Sequence, residues 1–158
     1  MAGMSRAPFQ VLVFPYRRTD LGQLEYAIFR RSGSEVWQGI AGGGEGGETS
    51  LDAAKREAWE EAGLPADARY VPLDSMTTIP VLSVVGSFLW GSEVYVIPEY
   101  SFGVRADKCE LVLSREHTEY RWVRYEEAER LLKWDSNRTA LWELNQRLIC
   151  QVPVPSGQ

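Results

Sequence analysis

Histidine occurs once and cysteine twice in these 158 residues. Cys109 and Cys150 form no Cys-x-x-Cys pair and are too few for a disulfide framework. Both read as inert thiols in a reducing compartment. Long apolar runs are missing too. The richest, Ile79 to Trp90, is about half a membrane span and is broken by Pro80, Ser83, Gly86 and Ser87. Met1 to Ala7 lacks the apolar core of a signal peptide. Together these absences lead us to expect a cytoplasmic protein. Positive charge is also short: 17 Lys and Arg against 22 Asp and Glu leave a net charge of −5. General affinity for nucleic acid or for an anionic membrane rests on basic patches and is therefore not expected. The chain shows no internal repeat or low-complexity linker, and its length suits one domain with its own core.

What the chain does have is acid concentrated in one place. Arg56-Glu57-Ala58-Trp59-Glu60-Glu61-Ala62-Gly63 carries three acids within five residues of a stretch that reads as helix. Glu57, Glu60 and Glu61 stand at i, i+3 and i+4 and so share a face, where like charges weaken a helix by a few tenths of a kcal/mol per pair, roughly. Most such clusters are solvated faces. Here the surroundings argue for an occupant. Gly42, Gly43, Gly44, Gly46 and Gly47 form a glycine-rich approach read as a loop. Thr49 or Ser50 offers an N-cap oxygen, and Glu48 lies beside the positive helix end. Leu51, Ala54, Ala58 and Ala62 make a narrow apolar stripe opposite the acids, so the acids are expected on the outer face. Gly63 stops the helix, with Pro65 beyond it. A hard divalent cation that also binds phosphate, such as Mg²⁺, is the natural partner for acids so arranged. An acidic protein acting on an acidic phosphate needs such a charge reversal.

Elsewhere the elements alternate in type. Strands are expected at Phe9–Tyr16 and Glu25–Arg30 around an Arg17–Asp20 turn, with a short extended piece at Trp37–Ala41. Further strand-like runs cover Arg69–Leu73, Leu82–Leu89, Glu93–Ile97, Glu110–Leu113 and Glu119–Val123. Tyr125–Leu132 and Asn137–Ile149 have helical periodicity, the latter burying Leu141, Leu144 and Leu148, and Gln151–Gln158 reads as a frayed tail. Strands interleaved with helices predict a sheet covered on both faces. Trp37, next to the glycines, is the aromatic best placed to stack on a flat base. Trp90, Tyr95, Trp122, Trp134 and Trp142 read as packing, and Trp59 as cover for a sheet edge.

The acidic segment resembles the signature of the Nudix hydrolases, G-x5-E-x7-R-E-U-x-E-E-x-G-U, with U a bulky aliphatic residue. Gly42, Glu48, Arg56, Glu57, Glu60, Glu61, Gly63 and Leu64 match, and only Ala58 departs, being smaller than the usual aliphatic residue. That departure touches helix–sheet packing rather than chemistry. The resemblance implies an α/β/α sandwich with a mixed β-sheet between helices, and Mg²⁺-dependent hydrolysis of a phosphoanhydride, with Mn²⁺ as an alternative ion. It implies Glu57 and Glu61 as main metal ligands, Glu60 as a ligand or metal-water partner, and the Gly42 carbonyl as a further ligand. Arg56 then orients a glutamate and pairs with Glu48. A homodimer is a frequent family assembly.

Further matches resemble the dihydroneopterin triphosphate pyrophosphohydrolase branch, often labelled dATP pyrophosphohydrolase. These are Phe29-Arg30-Arg31, Trp37-Gln38, Glu116-His117, Tyr120-x-Trp122 and Ser136-Asn137-Arg138. They imply Glu116 as third ligand or general base, and Arg6, Arg30 and His117 as phosphate or substrate contacts. Ala41 stands where the branch has a hydroxyl residue near the substrate, and Ile79–Trp90 and the Pro98–Lys108 loop do not match. The expected activity is release of pyrophosphate from a nucleoside- or pterin-triphosphate-like substrate. The alternatives are a dinucleoside polyphosphate or nucleotide-sugar hydrolase, and a non-catalytic nucleotide sensor. The three retained acids weigh against the sensor.

Overall fold

A computed structural model describes residues 5–107 and 110–150. Cys109 and the expected tail at 151–158 lie outside them. In chain order the elements are β1 (Arg6–Arg18), β2 (Leu24–Arg31), β3 (Trp37–Gln38), β4 (Ile40–Glu45), α1 (Ser50–Ala62) and β5 (Tyr70–Pro80). They continue with α2 (Val81–Val85), β6 (Val96–Arg105), β7 (His117–Val123), α3 (Tyr125–Leu131) and α4 (Asp135–Ile149). Seven strands make one mixed sheet. β1 is central and pairs parallel with β6 along Gln10–Tyr16. On its opposite edge it pairs antiparallel with β2 at Tyr16–Arg18 and with β4 from Arg6 to Val13. The two partners divide that edge because β2 diverges from β1 and takes β3 and β7 instead.

Both faces of β1 are buried, as expected of a strand covered by helices on each side. Val11 and Val13 face α1, whose Ala53, Ala54, Ala58 and Ala62 are fully buried. Leu12, Phe14 and Tyr16 face the other layer, with Ala128 of α3 and Leu141, Leu144 and Leu148 of α4. The alanines let α1 approach the sheet closely. Thr49 is the N-cap: its side chain accepts from the Asp52 amide, and the Asp52 carboxylate accepts from the Thr49 amide. Gly63 ends the helix in the left-handed region at φ 71, as its position predicts. Glu143 of α4 accepts from the Asp74 and Ser75 amides at 2.8 and 2.7 Å, tying α4 to β5. None of the helices among the described residues is long and apolar enough to cross a membrane.

Several expectations need correction. Gly42, Gly43 and Gly44 are not loop but β4 itself. Leu82–Leu89 is not a strand: Pro80 caps α2, Gly86 stops it at φ 75, and Leu82 and Leu89 are exposed. Apolar content suggested burial there, but the spacing suits one short helical turn. Residues Glu110–Leu113 pair with no strand, and the run from Pro98 that was read as a loop is mostly β6. β5 extends well past Leu73, because an edge strand tolerates polar alternation on its open face. Trp59, Tyr95, Trp134 and Trp142 are exposed rather than packed. The acids of α1 do not share an outer face either: Glu57 and Glu61 are 8 % and 3 % exposed.

Candidate active site

The glycines of β4 explain how Glu57 can be buried. None of Gly42, Gly43 and Gly44 has a positive φ, so their small size serves close approach rather than a turn. A Cβ at Gly42 would coincide with the Glu57 carboxylate, at Gly43 with the Arg6 guanidinium, and at Gly44 with the Phe9 ring. Successive residues point to opposite faces of a strand. An acid and a base therefore cross the two faces of β4 side by side.

Arg56 holds this arrangement together. Its guanidinium donates to Glu48 at 2.9 and 3.1 Å, to the Gly43 carbonyl at 2.7 Å, to Glu57 at 3.0 Å and to Glu60 at 3.3 Å. The bonded guanidinium holds the Glu48 carboxyl below its ordinary range. Arg56 thus ties the loop, the strand and α1 to one another.

Glu61 meets residues from the far end of the chain. His117 Nδ1 lies 3.7 Å from Glu61 Oε2, and both atoms are buried without a hydrogen-bond partner among the described residues. The imidazole packs on Phe29 with ring centroids 5.2 Å apart, and burial lowers its pKa. Glu116 is exposed, and its backbone is fixed by Ser32, whose amide donates to the Glu116 carbonyl at 2.8 Å. Burial pushes the Glu57 carboxyl up to about 7 despite Arg56. Burial, then Glu116 and Glu57, push Glu61 up to about 10.

An orphaned buried carboxylate oxygen among other acids is costly unless positive charge meets it. Among the described residues, no three His, Cys, Asp or Glu side chains are grouped so as to hold a metal ion by themselves. Mg²⁺ does not require such a group, because it keeps several waters and binds through one or two carboxylates together with substrate phosphates. Hard carboxylate oxygens from Glu57, Glu61 and Glu116, beside the Gly42 backbone, suit that ion chemically. A pH dependence follows. With the Glu57 carboxyl raised to about 7 and that of Glu61 to about 10, part of this pair should be protonated near pH 7 in the cation-free protein, and ligation requires the charged forms. Mg²⁺ binding should release roughly one to two protons at pH 7 and tighten as pH rises from about 6 to 9. Calorimetry in buffers of differing ionisation enthalpy measures the release, and proton-free binding would count against these carboxylates as ligands.

These groups line one end of a cleft of about 1010 Å³. Of the residues expected at the site, Arg6, Ala41, Gly42, Glu57, Glu61, Glu116 and His117 reach it. Arg56 and Glu60 do not line it: the first lies behind Glu57, and the second turns outward with its side chain 53 % exposed. Arg30 is directed elsewhere, pairing with Glu119 at 3.2 Å and Glu35 at 3.6 Å. Trp37 is 8 % exposed within the core, with the Arg121 guanidinium 4.8 Å over its ring. The tryptophan at the cleft is Trp134. Gln10, Thr77 and Glu99 also line it and were missed. The available signal was the period of β6, which places an acid at Glu99 between inward-facing Ile97 and Ser101.

A family model, the NUDIX domain, matches residues 10–143. A Listeria monocytogenes structure assigned to the NUDIX hydrolases is 44 % identical with a TM-score of 0.81, covering 91 % of this chain and 96 % of that one. The asymmetrical bis(5'-nucleosyl)-tetraphosphatase of Rattus norvegicus is 28 % identical over 138 residues, 87 % of this chain and 88 % of the rat protein. The E. coli dihydroneopterin triphosphate pyrophosphohydrolase structure shares the fold at a TM-score of 0.71 and 23 % identity, covering 90 % of this chain and 99 % of that one.

Proposed function

This chain belongs to the NUDIX domain family, and from that premise we propose that it is a Mg²⁺-dependent pyrophosphohydrolase of a nucleoside- or pterin-triphosphate-like substrate. The coarser activity comes with membership: it is a hydrolase of phosphorus-containing anhydrides. The observation that carries the finer reading is the division of charge across β4. Glu57 crowds one face, with Glu61 beyond it on α1, and Arg6, its Nε buried and without a partner among the described residues, crosses the other. That face takes a cation and its neighbour takes phosphate oxygens.

In this reading Glu57 and Glu61, with the Gly42 carbonyl, would hold Mg²⁺. The bound ion neutralises phosphate charge and lowers the pKa of a coordinated water. Glu116, exposed at the cleft, would serve either as a third ligand or as the base for the attacking water. Arg6 donates to the phosphates. Arg56 is a positioning residue, since it reaches the cleft only through Glu57 and Gly43. Mn²⁺ is the other hard ion the oxygen donors admit.

A second reading, cleavage of a dinucleoside polyphosphate, is favoured by the extent of the similarity to the rat tetraphosphatase. Product analysis separates the two. With Mg²⁺, the protein should convert a nucleoside or dihydroneopterin triphosphate to monophosphate and pyrophosphate. Turnover confined to dinucleoside polyphosphates would replace the first reading with the second. No turnover of any phosphoanhydride would leave a nucleotide sensor.

A further inference from the structure

Glu99 sits in the floor of the cleft, 5 % exposed, on the face of the sheet that α4 covers. It has no part in the chemistry above. Burial is the only influence on its carboxyl, raising it to about 7, with no bonded or charged group among the described residues contributing. No side chain among the described residues bonds or pairs with its carboxylate, whose oxygens face the cleft and are left for water or a ligand to complete.

The register of the sheet shows what surrounds it. Gly43 pairs with Gln10, Gln10 with Glu99, and Glu99 with Thr77, so one row crosses β4, β1, β6 and β5. All four residues line the cleft. Adjacent strands lie about 4.8 Å apart, which sets the Glu99 backbone roughly 10 Å from that of Gly43, with Gln10 between them. Arg6 Nη2 donates to Gln10 Oε1 at 2.6 Å, leaving the Gln10 Nε2 amide as the free end. The floor therefore offers one donor, from Gln10, followed by two acceptors, from Glu99.

We propose that Gln10 and Glu99 read the edge of the ring attached to the phosphates and select a 2-amino-oxo edge, the pattern shared by guanine and pterins. The assignment rests on the reading above for where the phosphates lie. Such an edge presents a carbonyl acceptor, a ring N–H and an amino group in sequence. Gln10 Nε2 donates to the carbonyl, and the two Glu99 oxygens accept from the other two, in the paired geometry that makes charge-assisted bonds strong. An adenine edge sets a ring-nitrogen acceptor against the carboxylate and is repelled. A hypoxanthine edge lacks the amino group and forfeits one bond.

The test is calorimetric binding of guanosine, inosine, adenosine and neopterin monophosphates to the wild-type chain and to Glu99→Gln, an isosteric change. The wild type should bind guanosine or neopterin monophosphate at least about tenfold more tightly than inosine monophosphate, the scale of one hydrogen bond to a charged group. The tighter of the two names the source of the ring. Glu99→Gln should erase the preference with the fold retained, its melting temperature equal to or above that of the wild type near pH 8 because a buried charge is removed. Gln10→Leu, a second variant should the first not fold, should weaken guanosine and inosine ligands alike and keep their ratio. Equal binding of these two by the wild type, no binding of any, or a preference that survives in Glu99→Gln would overturn the proposal. A retained preference with no hydrolysis of any triphosphate would sink the pyrophosphohydrolase reading alone. Hydrolysis without preference would sink this one alone.

Discussion

Glu61→Gln should lower kcat by at least about 10²-fold while raising the melting temperature of the cation-free protein. Both effects come from one property. Glu61 is 3 % exposed, its Oε2 has no hydrogen-bond partner among the described residues, and its carboxyl is pushed up to about 10 by burial and by Glu116 and Glu57. At pH 8 the unfolded chain carries this carboxylate charged, whereas the folded, metal-free protein must take up a proton or bury the charge. Each pH unit so spanned costs about 1.4 kcal/mol. Glutamine keeps the shape and removes the charge, so even ~2 kcal/mol of relief would raise Tm by several degrees in a domain of this size.

The sign is fixed by linkage. A carboxyl whose folded pKa is raised is tolerated best below its unfolded value near 4.5 and costs progressively more as pH rises toward the folded value. The advantage of Glu61→Gln should therefore be small near pH 5 and grow toward pH 9. Saturating Mg²⁺ should reverse the order, since ligand binding stabilises only a protein that retains its ligand set. Melting curves across that pH range, with and without Mg²⁺, give the comparison. A variant less stable than wild type throughout would mean that Glu61 is a structural acid, and undiminished turnover would remove it from the metal site.

This double behaviour also marks what the sequence made legible. The helix α1, a cap at Thr49 or Ser50 and its stop at Gly63 could all be read, because they depend on residues within four positions of one another; the structure selects Thr49. The burial of Glu57 and Glu61 could not. Helical spacing placed the three acids together on an outer face, but β4 passes beside α1, and its glycines let two of them turn inward. Glu116 was reachable through its resemblance to a known branch, whereas its approach to Glu61 depends on β7 pairing with β2 across a long separation. Trp37 was misplaced for the converse reason. Proximity to the glycines suggested the cleft, yet the short strand β3 turns its ring into the α3–α4 layer. Glu99 was hidden because Pro98 suggested a loop, and only the strand register shows that it faces the same way as Gln10 and Thr77.

The second large effect is expected at a residue with no side chain. Gly42→Ala should lower kcat by about 10²-fold or more and weaken Mg²⁺ binding at least ~10-fold, with the fold retained. Gly42 does not have a positive φ, so alanine meets no backbone strain there. Its methyl group, however, would occupy the position of the Glu57 carboxylate. That carboxylate is gripped by Arg56 at 3.0 Å, so it can yield only by leaving the guanidinium and the cleft wall together. Neighbouring glycines provide the controls. Gly43→Ala adds the same atom to the opposite face, where it displaces Arg6 instead. Its effect should fall on KM for the phosphate substrate and leave the metal requirement unchanged. Gly47→Ala, with no atom within 4 Å of the new methyl, should behave as wild type. Steady-state kinetics over a Mg²⁺ titration separate the three. If Gly42→Ala and Gly43→Ala changed the same parameter, acid and base would not be divided across β4, and the assignment of one face to cation and the other to phosphate would fail.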